Sequence, residues 1–371
     1  MQDIDLPALT AQVLWAAFVL AAVFGAIAQR THFCTMGAVS DIVTMGDWTR
    51  MRMWVMAMGV AIVGFNAMVA AGWVSASNTI YAAPRVIWLS ALVGGAMFGF
   101  GMVLASGCGS KTLVRIGAGN LKSLVVFVVL GVAAFATLRG ITGVLRVNTV
   151  DTVSFQLDGP QDLPSLLSSA TGWGLPATAL GLGLLIGGAC LAWSWARPEG
   201  RSGNTLLAGL GTGAVILGVW WVSGRLGFVA EHPETLEATF LATNSQRMES
   251  LSFVAPYAYT LDWLIYFSDA SKGLTLGIVT SVGVILGSAA YALATRSFRW
   301  EGFRDAEDTA NHLVGAVLMG VGGVTAMGCT IGQGLSGLST LSISSFLALA
   351  GILAGAWLAF KYQMWRLERL V

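Results

Sequence analysis

A repeated stretch limits what this chain can fold into. Residues 92–108 and 313–329, laid over each other without gaps, agree at nine of seventeen positions. Gly94, Gly99, Gly101, Gly107 and Cys108 of the first copy meet Gly315, Gly320, Gly322, Gly328 and Cys329 of the second. In both copies a long apolar run stops at Gly-Cys, and a short run rich in Gly, Ser and Thr follows. A hydrophobic helix that breaks beside a thiol, at matching places in two halves, is the pattern of a transport site formed by discontinuous helices.

Composition says which solvent such helices face. The chain is 56% hydrophobic and 11% charged, whereas soluble domains carry about 25% charged residues. Lipid must cover most of its surface. The net charge of +1 offers no footprint for nucleic acid. The first basic residue is Arg30, so residues 9–28 read as a retained membrane span rather than a cleaved leader. The cysteines, Cys34, Cys108, Cys190 and Cys329, form no CxxC and no Cys/His spacing suited to zinc. The three histidines are scattered; no metal or organic cofactor is expected.

A span needs about 20 apolar residues. Nine stretches qualify: 9–28, 53–73, 86–105, 122–139, 174–196, 204–223, 273–294, 310–328 and 343–361. With the N-terminus outside, fourteen Lys and Arg fall on cytoplasmic segments and six on outer ones. Basic residues concentrate inside, so N-out, C-in is expected, in a multi-pass protein of the cell inner membrane. Residues 1–140 form one inverted repeat, 141–203 an outer loop and connector span, and 204–371 the second repeat. The expected fold is an all-α polytopic membrane protein of about nine transmembrane helices with re-entrant half-helices.

Four connections, 31–47, 106–119, 224–235 and 329–342, are too apolar and glycine-rich for ordinary loops. Non-helical backbone at membrane depth survives only when buried in protein or lining a cavity, so these read as re-entrant half-helices; short interfacial loops are the alternative. In this scheme Arg225-Leu226-Gly227-Phe228 answers Arg30-Thr31-His32-Phe33, with Val229 where the first copy has Cys34. Two outer segments, 140–172 and 232–272, carry Asp151, Asp158, Asp162, Glu231, Glu234, Glu237 and Glu249 and read as extracytoplasmic caps. Within them 258–268, with Tyr259, Trp263 and Tyr266, reads as an interfacial helix. Trp220 and Trp221 fit an aromatic belt.

Cys108 lies between Gly107 and Gly109 and opens the run Ser110-Lys111-Thr112. Cys329 follows Gly328 and precedes Gly332 and Gln333. A half-helix starting at such a break aims its amides and positive dipole end at it, which suits an anion. A single membrane cysteine is usually inert packing; the shared glycine frames set Cys108 and Cys329 apart, while Cys190 lies in the connector. Gly94, Gly99, Gly101 and their counterparts serve close helix packing; the glycines touching the cysteines call for a ligand. Arg30 near Cys34 is a candidate anion contact or a marker of the interface. Thiols are weak donors with a soft sulfur, suited to a sulfur anion passed along a pore by contacts weak enough to release it. Two other classes stay open. A thiol-dependent membrane enzyme would carry sulfane sulfur as a cysteine persulfide, since helix N-termini lower thiol pKa. A channel for a neutral solute would use the same scaffold and leave the thiols idle.

The stretches Gln29-Arg30-Thr31-His32-Phe33-Cys34-Thr35-Met36-Gly37 with Asp41, GMVLASGCGSKTLVRIGAGNLKSL at 101–124, and MGCTIGQGLSGLSTL at 327–341 resemble the YeeE/YedE family of membrane sulfur transporters. The resemblance implies an hourglass of nine spans and uptake of thiosulfate. It implies that Cys34, Cys108 and Cys329 touch the ion in turn, Cys108 centrally. It also implies a small TusA-like sulfur-carrier protein as a cytoplasmic partner. The long segments at 140–172 and 232–272, and Lys111 after Gly109-Ser110, depart from the family pattern and leave another sulfur or selenium substrate open.

Overall fold

The computed structural model of the protein describes residues 5–233, 235–269 and 271–369. Glu234, one of the expected acidic residues of the outer segments, lies outside the described residues. The first helix, α1 (Leu6–Thr31), is capped by Asp5, whose carboxylate accepts from the Ala8 amide at 3.1 Å. It is followed by α2 (Thr35–Met45), α3 (Thr49–Ala70), α4 (Trp88–Leu104), α5 (Gly109–Gly117) and α6 (Leu121–Arg139). Next come α7 (Ile141–Asn148), α8 (Leu163–Thr171), and a span made of α9 (Leu175–Leu182) and α10 (Gly188–Trp195) joined by a π-helical turn. The chain closes with α11 (Gly203–Trp221), α12 (Ala255–Ile265), α13 (Leu276–Ala294), α14 (Ala306–Thr325) and α15 (Ile343–Glu368). Two short antiparallel pairs, β1 (Arg85–Val86) with β2 (Phe155–Gln156) and β3 (Phe228–Val229) with β4 (Thr239–Phe240), tie down the long connections.

Among the described residues, eight helical segments are long and apolar enough to cross a membrane. The ninth expected span is α14, twenty residues long. Its first turns carry Glu307, Asp308 and His312, which dilute its apolar character. Asp308 pairs with Lys122 of α6 at 2.9 Å and with His312 at 3.0 Å, so its polar end is satisfied within the protein. Outward faces are apolar, as lipid requires: Trp15, Val19 and Val23 on α1, Val128 and Val132 on α6, Val314 and Val317 on α14 are exposed. Trp221 is exposed as a belt residue. Its neighbour Trp220 is not: it is fully buried, and its indole N–H donates to Ser339 Oγ at 3.0 Å.

The packing of the two sets of helices is reciprocal. α1 packs on α13 and α3 on α11; α4 packs on α15 and α14 on α6; α4 and α14 pack on each other. The repeated glycines make the central crossing. A Cβ on Gly101 would stand 2.6 Å from the Gly315 carbonyl oxygen, and one on Gly315 would stand 2.6 Å from the Gly101 carbonyl oxygen. Gly94 and Gly322 make the same mutual approach. These positions serve close helix contact, as expected.

Three of the four expected half-helices form: α2, α5 and the irregular π-helical turn Gly332–Gly337. The fourth does not. Residues 228–229 pair with 239–240 as a β-hairpin, because the backbone after α11 leaves the bundle there. The missing counterpart is α12. The offset of 221 residues that relates the two Gly-Cys stretches carries α2 onto 256–266, one residue from α12. Aligned at their helix starts, an offset of 220, Phe33-Cys34-Thr35 is answered by Phe253-Val254-Ala255, so the cap position of Cys34 is taken by Val254 rather than Val229. Nor is α12 interfacial over its length. Tyr257 and Ala258 are fully buried and only its end, Leu264 and Ile265, is exposed.

Candidate functional site

Each of the three cysteines outside the connector begins a new helical segment, and the backbone reaches all three in the same way. The residue two positions earlier is in the left-handed region: His32 at φ 53°, Ser106 at φ 56° and Met327 at φ 58°. For non-glycine residues this costs of order 1–3 kcal/mol and persists only where the surroundings over-determine it. At the two Gly-Cys copies the turn is closed identically. The Gly107 amide donates to the Met102 carbonyl at 2.8 Å, and the Gly328 amide to the Gly323 carbonyl at 2.8 Å, the six-to-one bond of a Schellman stop. The chain then re-enters a helical turn, with Cys108 as the cap of α5 and Cys329 two residues before Ile331, the cap of the π-helical turn. Cys34 Sγ accepts from the Gly37 amide at 3.4 Å and Cys329 Sγ accepts from the Gly332 amide at 3.4 Å. Cys108 Sγ instead lies 3.3 Å from Ser110 Oγ, in hydrogen-bond contact.

These caps converge. The Cys34 and Cys108 side chains face one another, and the Thr330 hydroxyl faces the Cys108 thiol. Cys329 is 0% exposed and Cys108 1%. Thr330 Oγ1, Thr35 Oγ1 and the Trp54 indole nitrogen are buried without a hydrogen-bond partner. Native interiors pair nearly all such groups, so the unpaired hydroxyls of Thr35 and Thr330 leave donors for a polar ligand beside Cys34 and Cys329. Thr35 and Thr330 each follow a site cysteine directly. Sequence reasoning passed over them because threonine is common beside a helix start; their burial is what singles them out.

Gln333 is structural support. Its Nε2 donates to the Ala326 carbonyl at 2.6 Å and its Oε1 accepts from Ser345 Oγ at 2.7 Å, which pins the turn after Cys329. Two of the glycines near the cysteines, Gly109 and Gly332, closely approach another part of the chain. A Cβ on Gly109 would stand 2.7 Å from the Phe253 carbonyl oxygen, and one on Gly332 would stand 2.5 Å from Ser252 Oγ. Both admit the strand of chain leading into α12. The Gly107 site meets the Lys111 side chain at 3.3 Å and Arg115 Nη1 at 3.7 Å, and that of Gly328 meets Gln333 at 3.1 Å.

Two cavities flank the cysteines. One, of about 220 Å³, is lined by His32, Cys34, Arg50, Ser106, Lys111 and Arg115 among others. Arg50 pairs with Asp41 at 3.2 Å, and Arg115 donates to the Ser106 carbonyl at 2.7 Å. Arg30 is exposed and does not line this cavity; it sits on the last turn of α1, facing outward, and Arg50, Lys111 and Arg115 supply the positive charge instead. The other cavity, of about 240 Å³, lies under the connections 140–172 and 232–272, with Met327 and Gly328 in its wall. The twenty-two residues of α3 run from the first cavity towards the second, about 33 Å at 1.5 Å per residue. Cys329 is adjacent in sequence to the wall of one cavity, Cys34 lines the other, and Cys108 stands between. Cys190 is half-buried on α10, which packs on α3, outside both cavities. Among the described residues no group of His, Cys, Asp and Glu could hold a metal ion.

The chain is similar in sequence to known transporters. A family model described as "Sulphur transport" matches residues 30–358. The chain is 26% identical over 345 residues to the thiosulfate transporter TsuA of Escherichia coli, covering 91% of each chain. It is 25% identical over 358 residues to the thiosulfate transporter TsuA of Spirochaeta thermophila, covering 93% of this chain and 97% of that one. It also resembles the probable transporter YedE of Salmonella typhimurium, 29% identical over 100 residues, 26% of this chain and 23% of that one.

Proposed function

The chain belongs to the Sulphur transport family, and on that premise we propose that it imports thiosulfate, handing the ion from Cys329 to Cys108 to Cys34. The observation that carries this reading is that three thiols each stand two residues after a left-handed turn, with Cys34 and Cys108 at the N-terminal ends of α2 and α5. Helix N-termini favour anions. The thiols and the spare hydroxyls of Thr35 and Thr330 add weak donors. Binding of that strength admits an ion and still releases it.

The basic cavity beside Cys34 opens to the cytoplasm in this reading and the cavity beside Gly328 opens outward. That orientation, N-terminus out in the inner membrane, is supported by the fourteen-to-six distribution of basic residues. Import then follows a rising positive charge, from one basic residue lining the outer cavity to three lining the inner. Two inverted repeats, 1–140 and 204–371, joined by 141–203, account for the reciprocal packing. A small TusA-like sulfur carrier is the acceptor suited to the basic exit.

The test is uptake of labelled thiosulfate by a host lacking its own system, with and without this chain. Uptake that depends on the chain is expected; none would overturn the reading. Cys108→Ala should abolish uptake at unchanged membrane abundance, and Cys108→Ser, which keeps a donor, should retain part of it. Sulfur is carried without covalent attachment here. A mass increase of one sulfur on Cys108, formed at the rate of uptake, would replace the relay with persulfide chemistry.

A further inference from the structure

We propose that the outer cavity is an anion-binding site in its own right, occupied before the cysteines, with Arg146 of α7 as the cation that holds a doubly charged oxyanion there. The inference rests on the import reading above. It starts from the connection 140–172, which lies outside both repeats and has no counterpart at the basic cavity.

Of the described residues lining the outer cavity, Arg146 is the one Lys or Arg. It reaches in from α7, and the segment around it is tied to the bundle. Arg146 Nε lies 3.2 Å from an Asp151 carboxylate oxygen; the other oxygen of Asp151 accepts from Ser90 Oγ, at the start of α4. One guanidinium N–H points to the Val324 carbonyl at 3.4 Å, a weak bond at the end of α14. An arginine has five donors, and among the described residues this is the single hydrogen bond that Arg146 donates. The guanidinium is thus aimed by Asp151, which does not itself line the cavity, with donors to spare beside Met327 and Gly328.

The rest of the wall suits the same ligand. Leu138, Ile80, Val324 and Leu276 give it an apolar surface, where a lone cation acts over a longer range than in water. The carboxylate in the wall, Glu249, has one oxygen engaged by the Ser245 amide at 3.0 Å and by the Ser245 hydroxyl. Burial pushes its carboxyl above the ordinary carboxylate range, which lessens its opposition to an anion. The volume, about 240 Å³, holds several waters at about 30 Å³ each, ample for a small tetrahedral anion that keeps part of its hydration.

The experiment uses the full protein in liposomes and in detergent, with labelled thiosulfate as the probe. Arg146→Gln should raise the KM for uptake about tenfold, the scale of one lost charge-assisted contact, with the maximal rate within about twofold. Arg146→Lys should restore most of the affinity, and added salt should narrow the gap between wild type and Arg146→Gln. In a Cys108→Ala background, where transport stops, thiosulfate should still bind, and adding Arg146→Gln should remove that binding. A KM unchanged in Arg146→Gln, or an equal loss of maximal rate in the Gln and Lys variants, would overturn the site and leave Arg146 a tether of α7. Wild-type liposomes that take up no thiosulfate would instead overturn the import reading.

Discussion

α2 and α12 occupy matching places in the two halves and do different work. Both are eleven residues long and begin beside a phenylalanine at a break in the chain. α2 is capped by the thiol of Cys34, which lines the basic cavity, and its Asp41 pairs with the half-exposed Arg50. α12 begins at Val254, whose methyls pack against Gly323 of α14. It is then locked down by Tyr257. That ring lies 4.4 Å from Phe127 of α6, and its hydroxyl donates to the Gly109 carbonyl at the start of α5. One half-helix borders a cavity and offers a donor; the other is a wall that holds the Cys108 turn in place. The packing recurs in the two halves, and the side chain at one cap position separates a thiol that lines a cavity from a piece of packing.

Exchanging the caps is the strongest way to break that comparison. Cys34→Val should lower uptake by at least about tenfold, a loss on the scale of one hydrogen bond to a charged ion, measured as initial rate at equal abundance. Uptake like wild type would show that the thiol at α2 is as inert as its counterpart at α12. Tyr257→Phe probes the wall. It keeps the ring on Phe127 and removes the bond to Gly109, so stability should fall by ~1 kcal/mol, read as a lower melting temperature in detergent with KM unchanged. A changed KM with unchanged melting would make α12 part of the path. The smallest effect is expected from Val254→Cys, a buried change costing under about 1.5 kcal/mol. Uptake should stay within about twofold; a marked gain or loss would mean that the fourth cap also meets the ion.

Much of the site could be read from the chain in order. Cys108 and Cys329 carry their own frames, and Gly94, Gly101, Gly315 and Gly322 announce a close helix crossing because only glycine lets two backbones meet at that distance. Arg30 was misleading: its neighbourhood to Cys34 in sequence says nothing about which side of the last turn of α1 it leaves from, and that side faces away from the cavity. The hairpin at 228–240 displaced the fourth half-helix by some twenty-five residues from the place the weak Arg225–Phe228 likeness suggested; the repeat offset, applied throughout, points to α12.

The sequence by itself determined the solvent, the set of spans and the pairing of the two Gly-Cys breaks. Apolar length and glycine spacing act locally along a helix, and a helix in lipid must satisfy its own backbone. Only the tertiary structure decided which groups meet. It left Thr35 and Thr330 buried with hydroxyls unpaired, gathered Arg50, Lys111 and Arg115 at one mouth, and swung Arg146 over the other. These residues come from separate helices, and their approach depends on crossing geometry and on the path of the long connections. Neither leaves a periodic mark in the chain.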